Sequence, residues 1–262
     1  MTTDVIYNQD CLDGFKDIPD NSIDLVVTSP PYNCGISYDS WNDNKPWDVY
    51  LQWTKQWLTQ VKRVLKQDGR FAINHLIEMG ITVDGKKNAY RVSPQIELYK
   101  IINELGMTVV GQPMWVDLTK STLTAWGSWM NASCPYIYNP FEVILVGHKH
   151  QWKKMSKGEN TISKEDFMKG VSGIWNIRPE TKGLTMANFP VALPKLCIEL
   201  LSYKNDIVLD PFMGSGTTAI ACIYTDRKYI GFELSEKYVK IASDRIQAAM
   251  LHKQSYIGIG QI

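Results

Sequence analysis

Ile207-Val208-Leu209-Asp210-Pro211-Phe212-Met213-Gly214-Ser215-Gly216-Thr217-Thr218 is the stretch whose reading decides the fold. An apolar strand over Asp206–Asp210 runs into a glycine-containing turn, and the turn opens a helix over Thr217–Tyr224. Glycines in such a turn allow positive φ and let a ligand approach the backbone closely. A nucleotide-type ligand then sits at the carboxyl edge of a parallel sheet. The Gly-x-Gly-Thr-Thr tail superficially resembles a phosphate loop, but the lysine that such a loop places before the threonines is missing. A dinucleotide fingerprint would carry a third glycine where Ala219 stands, and alanine is tolerated there. Downstream, Tyr229–Glu233 reads as the next strand, and Glu233 ends it. A carboxylate at that place can accept both hydroxyls of a ribose; the alternative is a surface glutamate at a strand end.

Working outward, Ser235–Leu251 and Phe189–Ser202 have the spacing of helices that flank this unit. Toward the N-terminus, Val5–Tyr7 is a short apolar run, Cys11–Ile18 a short helix and Asp24–Ser29 a buried strand. That strand stops at Pro30-Pro31, because proline cannot continue a ladder. Trp47–Leu65 has helical spacing with Gly69 beyond it as a cap, and Arg70–Asn74 is a strand. Pro94–Leu105 is a helix followed by Gly106, and Met107–Gly111 and Phe141–Gly147 are strands. Between His148 and Thr185 the periodicity fades. Strands alternating with helices predict a mostly parallel sheet covered on both faces.

Thr28-Ser29-Pro30-Pro31-Tyr32-Asn33 is the second informative stretch. Two prolines fix the backbone and remove two N–H donors while keeping both carbonyls as acceptors. Ser29 adds a hydroxyl and Tyr32 a flat ring. Such a group accepts hydrogen bonds from an amine and stacks on a planar base; the plainer reading is a strand terminator.

Bulk properties narrow the class. Of 262 residues, 44% are hydrophobic and 21% charged, which suits a globular protein. No run of about 18 apolar residues offers a membrane span, and the N-terminus lacks the pattern of a secretory signal. Five scattered cysteines without a Cys-x-x-Cys pair suit a reduced compartment. A net charge of +1 neither supports nor excludes a nucleic-acid partner. His148 and His150 lack a third ligand nearby, so no metal site is expected.

Taken together, the two stretches resemble the amino-methylating DNA methyltransferases, whose signatures are (Asp/Asn/Ser)-Pro-Pro-(Tyr/Phe) and Asp-Pro-Phe-x-Gly-x-Gly-Thr-Thr. Asn8-Gln9-Asp10-Cys11-Leu12 resembles a Gly-Asp-Cys-Leu element of the same family, with Gln9 in place of the glycine. Phe189-Pro190-Val191-Ala192-Leu193-Pro194 resembles its Phe-Pro-x-x-Leu-Pro segment, although Met186-Ala187-Asn188 departs from the His-Pro that often precedes it. The target motif comes first and the cofactor motif last, which resembles the β group, a circular permutation of the Rossmann-like methyltransferase sheet. The resemblance implies one α/β domain with a catalytic half over 1–111, a loop-rich target-recognition region over 112–185 and a cofactor half over 186–262.

The same resemblance implies the chemistry. S-adenosylmethionine would be held by Asp10, Phe189, Asp210, Phe212, Gly214, Ser215, Gly216, Thr217 and Glu233. Ser29, Pro30, Pro31 and Tyr32 would hold a base flipped out of double-stranded DNA. Ser29 leans toward N4 of cytosine, with N6 of adenine as the alternative and a catalytically inactive DNA-binding module as a more remote one. An RNA or protein substrate would put the catalytic motif after the cofactor motif, contrary to the order here. The competing ring-carbon chemistry uses Pro-Cys, whereas this chain has Cys134-Pro135 in the reverse order. Trp115, Trp126, Trp129, Tyr136 and Tyr138 are candidates to stack on bases or simply to pack. The lysine-rich stretch 149–169 either tracks phosphates or is a solvated loop. The resemblance also implies a cytoplasmic, prokaryotic or phage-borne setting, and it allows a homodimer and a cognate restriction endonuclease.

Overall fold

The computed structural model describes all residues except 84–85, 117–126, 136, 138, 180–189 and 260–262. In chain order its elements are β1 (Val5–Asn8), α1 (Cys11–Gly14) with a 3₁₀ turn behind it (Phe15–Asp17), β2 (Ile23–Thr28), α2 (Trp47–Val64), β3 (Leu65–Leu76), β4 (Met79–Val83), β5 (Lys86–Val92), α3 (Pro94–Glu104), β6 (Thr108–Gly111), β7 (Met114–Val116), β8 (Phe141–His148), α4 (Lys164–Gly170), β9 (Ile174–Asn176), α5 (Ala192–Leu201), β10 (Ile207–Asp210), α6 (Thr217–Thr225), β11 (Lys228–Glu233) and α7 (Glu236–Ile259).

Nine strands form one sheet in the order β1-β11-β10-β2-β3-β8-β7-β9, with β6 also paired to β8. The first five are mutually parallel. β8 then runs antiparallel to β3, and β6 and β7 share its other side, one along each half. Every residue of β2 is buried, as expected of a central strand covered on both faces. Alternation divides it: Leu25 and Val27 join Leu193, Ile198, Ala219 and Cys222 of α5 and α6, whereas Val26 joins Phe15, Trp57, Val61, Leu98 and Ile102 on the other face. The expected mostly parallel sheet with helices on both faces is therefore present, with β8 as its reversed strand.

Two sequence expectations change, and one pair of strands was not foreseen. Gly69 caps no helix. α2 passes directly into β3 at Leu65, and Gly69 lies within that strand, where the pairing with β2 shifts register. Gly106 does follow α3 with φ +73°. Second, 148–185 is not featureless, since α4 and β9 lie in it and β9 extends the sheet beside β7. Third, β4 and β5 form a separate two-stranded hairpin. The Asp84-Gly85 pair between two strand-like runs is a hairpin signature that could have found it.

Candidate active site

β10 and β2 are adjacent and parallel, with Val208 beside Leu25 and Leu209 beside Val26. From β10 the chain leads through α6 to β11 on one side; from β2 it leads through α2 to β3 on the other. Connections diverging from neighbouring strands open a crevice at their carboxyl ends. The glycine turn and the Pro-Pro stretch both lie at this crevice.

Asp210 joins the two. Its carboxylate accepts from Thr28 Oγ1 at 2.6 Å and from Thr218 Oγ1 at 2.6 Å, and from the Phe212 backbone N–H at 3.0 Å. It is 1% exposed, and burial pushes its pKa up to about 6 against the pull of these three donors. The side chain is turned into the protein, so Asp210 staples β10 to the residue preceding Ser29.

In the glycine turn Gly214 and Gly216 have φ of +54° and +82°, angles at which a side chain would be strained. Gly214 donates its N–H to Glu233 Oε2 at 2.8 Å, and Ser235 donates its N–H to Oε1 at 2.8 Å. Burial, opposed by these two bonds, holds the Glu233 carboxyl above its ordinary range. Each carboxylate oxygen keeps a second acceptor site. Ser215 and Thr217 are buried behind the turn, where their hydroxyls accept from Arg245 of α7 at 2.7 and 3.1 Å. Gly216 backs onto Ala242 of the same helix.

The crevice holds an open cleft of about 750 Å³ of empty space, its mouth included. Asp10, Phe212, Gly214 and Glu233 line it, as do Ser29 and Pro31. Asp210, Ser215, Gly216 and Thr217 do not; they brace the turn from behind. Phe189 lies outside the described residues. Asp10 also caps α1 by accepting from Leu12 N–H at 2.8 Å.

The outer wall was not foreseen. It consists of Tyr38, Asp39, Ser40 and Trp41 together with Trp53 of α2. Trp41 packs on Trp53 at 4.6 Å between ring centroids, and Trp53 packs on Phe212 at 5.4 Å. Buried Asp43 organises this loop by accepting backbone N–H bonds from Asn33, Cys34 and Ile36 at 2.8, 3.1 and 3.0 Å. Asp39 accepts from Ser235 Oγ at 2.7 Å, which ties the loop to the turn after β11. The turn-forming run Asn42-Asp43-Asn44 was the available signal.

At the Pro-Pro stretch, Ser29 Oγ and Tyr32 OH are 2.7 Å apart. Tyr32 OH donates to Glu142 Oε2 at 2.8 Å. Asn74 Nδ2 donates to both Tyr32 OH and that carboxylate, at 2.8 and 2.6 Å. The Tyr32 ring lies 4.4 Å from that of His75. His75 is fully buried and pairs with Tyr50 OH at 3.0 Å, and Tyr50 OH donates to Pro31 O at 2.8 Å. Burial pushes the His75 pKa down to about 3, so the ring is neutral. Asn74, His75, Tyr50 and Glu142 escaped sequence reading; the signal was two polar residues, Asn74-His75, ending the apolar strand Phe71–Ile73.

Other candidates separate. Trp115 is core, 3% exposed, with its indole N–H on Ile177 O at 2.8 Å. Trp129 is 73% exposed. Trp126, Tyr136 and Tyr138 lie outside the described residues. The stretch after β8 starts beside Arg70, at the sheet edge opposite the crevice. There Lys149 is buried and donates to Asn21 and to Leu65 O, both at 2.8 Å. Lys154 reaches Asp206 at 3.3 Å. These two lysines are structural, so phosphate tracking is not their role. Cys134 is exposed in a turn held by Ser128. Among the described residues no group of three His, Cys, Asp or Glu could hold a metal, and no helix is long and apolar enough to cross a membrane.

Comparison with known proteins gives a consistent result. The family model for DNA methylase matches residues 23–244. The type II methyltransferase M.MjaVI of Methanocaldococcus jannaschii is 42% identical over 177 residues, covering 68% of this chain and 87% of its own. M.BglII of Bacillus subtilis is 32% identical over 253 residues, covering 90% and 67%. Among solved structures, a DNA modification methylase of Thermus thermophilus complexed with S-adenosyl-L-methionine superposes with a TM-score of 0.74. The two share 25% identity, over 94% of this chain and 93% of that one.

Proposed function

Because the chain belongs to the DNA methylase family that modifies N6 of adenine and N4 of cytosine, we propose that it moves a methyl group from S-adenosylmethionine to an exocyclic amine of a base flipped out of double-stranded DNA. N4 of cytosine is the favoured target. One observation carries this reading: the cleft floored by Phe212, Gly214 and Glu233 is shared with Ser29 and Pro31, so the donor and acceptor sites meet at one point.

The residues fit the cofactor. Glu233 has an acceptor site left on each oxygen for the ribose hydroxyls, and the aromatic rings of Phe212, Trp53 and Trp41 give an apolar wall for the adenine. When bound, the cofactor supplies an electrophilic sulfonium methyl. An exocyclic amine is a weak nucleophile because its lone pair is delocalised into the ring. Ser29 Oγ and the Pro30 carbonyl accept its two N–H bonds and draw the nitrogen toward a tetrahedral shape. Tyr32 offers the base the ring face that His75 does not cover, and base stacking on an aromatic ring contributes roughly 1–3 kcal/mol. The protein's contribution is positioning and electrostatics.

DNA would approach along the carboxyl edge. The β4–β5 hairpin leaves β3 there. The β7–β8 connection also starts and ends there, since Val116 faces Phe141. Its exposed residues include Trp129, Met130 and Ile137, the kind of apolar side chain that wedges between base steps. The middle region thus divides its work: β7, β8 and β9 extend the sheet, and the connection at 117–140 takes recognition together with the hairpin at 79–92. Within the proposed organisation, 1–111 and 186–262 are two halves of one domain.

The deciding experiment incubates the chain with radiolabelled S-adenosylmethionine and mixed-sequence DNA and identifies the product nucleosides by mass spectrometry. N4-methylcytosine is expected. N6-methyladenine would change the base and keep the reaction; no label in DNA would overturn the reading.

A further inference from the structure

A carboxylate beside the amine would be the strongest acceptor a side chain can offer; here that place is held by the hydroxyl of Ser29, a weaker acceptor. The proton inventory around it shows what stands behind that hydroxyl. Tyr32 donates its single hydroxyl proton to Glu142 Oε2, at 2.8 Å. Asn74 Nδ2 donates to the same Glu142 oxygen and to Tyr32 OH, which also fixes the amide orientation, since a carbonyl cannot face a carboxylate. Having given its proton away, Tyr32 can only accept from Ser29 across their 2.7 Å contact. The Ser29 hydroxyl hydrogen therefore points at Tyr32, and its lone pairs are left for a donor from the cleft that Ser29 lines.

We propose that Glu142 is the terminal proton acceptor of methyl transfer, a positioning residue that acts on the target amine through Tyr32 and Ser29. This rests on the function proposed above. In the step, the amine lone pair forms the N–CH3 bond while the S–CH3 bond breaks, its electron pair staying on sulfur. The nitrogen is then cationic. Its N–H proton passes to Ser29 Oγ, the Ser29 proton passes to Tyr32 oxygen, and the Tyr32 proton passes to Glu142 Oε2. The amine ends neutral and Glu142 ends as a carboxylic acid, which releases the proton to water after turnover. Glu142 sits at the second position of β8, opposite Leu76 at the end of β3. The antiparallel neighbour of the parallel block thus delivers a charge that the Pro-Pro loop does not carry itself.

The test is a double-mutant cycle on the full chain, read as the single-turnover methylation rate of DNA at saturating S-adenosylmethionine. Glu142→Gln and Tyr32→Phe should each slow the step about a hundredfold, at the lower end of the usual range for a proton acceptor. Cofactor affinity should stay within twofold of wild type. The double variant should be no slower than the slower single, because both cut one chain. Tyr32→Phe removes one oxygen and keeps the ring, so it remains informative if Glu142→Gln does not fold. A wild-type rate in either single variant would overturn the proposal, as would two losses that multiply. Absence of transfer by wild type would instead overturn the function on which it rests.

Discussion

Replacing Glu233 by alanine tests the cofactor site at its proposed ribose contact. In the structure each oxygen of the carboxylate already accepts one backbone N–H, from Gly214 and from Ser235. One acceptor site per oxygen is left for the two ribose hydroxyls. A hydrogen bond to a charged group contributes roughly 1.5–3 kcal/mol, so two lost bonds set a ceiling of roughly 3–6 kcal/mol. Glu233 is only half-buried, and water can enter the vacated space and serve the hydroxyls and both N–H groups. The lower end therefore applies, and about 3 kcal/mol is roughly a hundredfold. Titration calorimetry should show S-adenosylmethionine and its demethylated product weakened by the same factor, because both carry the ribose. Glu233→Gln keeps a neutral acceptor and should lose about tenfold, a single step of about 1.4 kcal/mol. Binding should also fail on acidification earlier than an exposed glutamate would allow, since burial holds this carboxyl above its ordinary range. Affinity in Glu233→Ala within threefold of wild type would remove Glu233 from the site.

Two further outcomes follow from the same geometry. Asp210 is pushed up to about 6 from an ordinary 3.8, so between those values the folded state holds a proton that the unfolded state has released. Stability from this group is complete below the lower value and is lost as pH rises through the upper one. By pH 7 the loss is about 3 kcal/mol. Urea unfolding of Asp210→Asn should accordingly gain about that much relative to wild type between pH 4 and pH 7, and a flat difference would refute the assignment. Cys134→Ser should methylate DNA at the wild-type rate in the radiolabel assay, because the exposed turn that carries this cysteine is held by Ser128 rather than by any residue of the cleft; abolished activity with normal cofactor binding would revive chemistry at a ring carbon.

The central strands and the glycine turn were legible because their signals are local: apolar runs, paired prolines, glycines at fixed offsets. Asp10, Phe212, Gly214, Glu233, Ser29 and Pro31, all singled out from the sequence, line one cleft. What escaped depends on tertiary contact. Asp210 belongs to the glycine turn in sequence, yet its carboxylate faces Thr28, 182 residues away. Ser215 and Thr217 turn back to Arg245, a residue that looks like ordinary helix surface until α7 docks. Glu142 reaches Tyr32 only because β8 pairs antiparallel with β3, and no periodicity announces that pairing. The lysines at 149 and 154 misled for the opposite reason, since a basic run reads as solvated until its carboxylate and carbonyl partners are seen.

The pairing of β2 with β10, and of β1 with β11, has a consequence during synthesis. As the chain emerges from the ribosome, β2, β3 and β8 become available long before β10 and β11. Until the last strands arrive, one long edge of β2 has no neighbour and β1 has no partner at all. Closing such distant pairs is slow because loop entropy must be overcome before the contacts form. An exposed apolar edge at that stage is prone to join another chain. The Thr28–Asp210 bond, which fastens both halves of the cleft, is among the last contacts that can be made. A nascent or truncated chain lacking residues beyond about 205 would therefore have an incomplete centre strand pair and a cleft without its Phe212, Gly214 and Glu233 wall, so the cleft would be completed in one late event rather than by degrees.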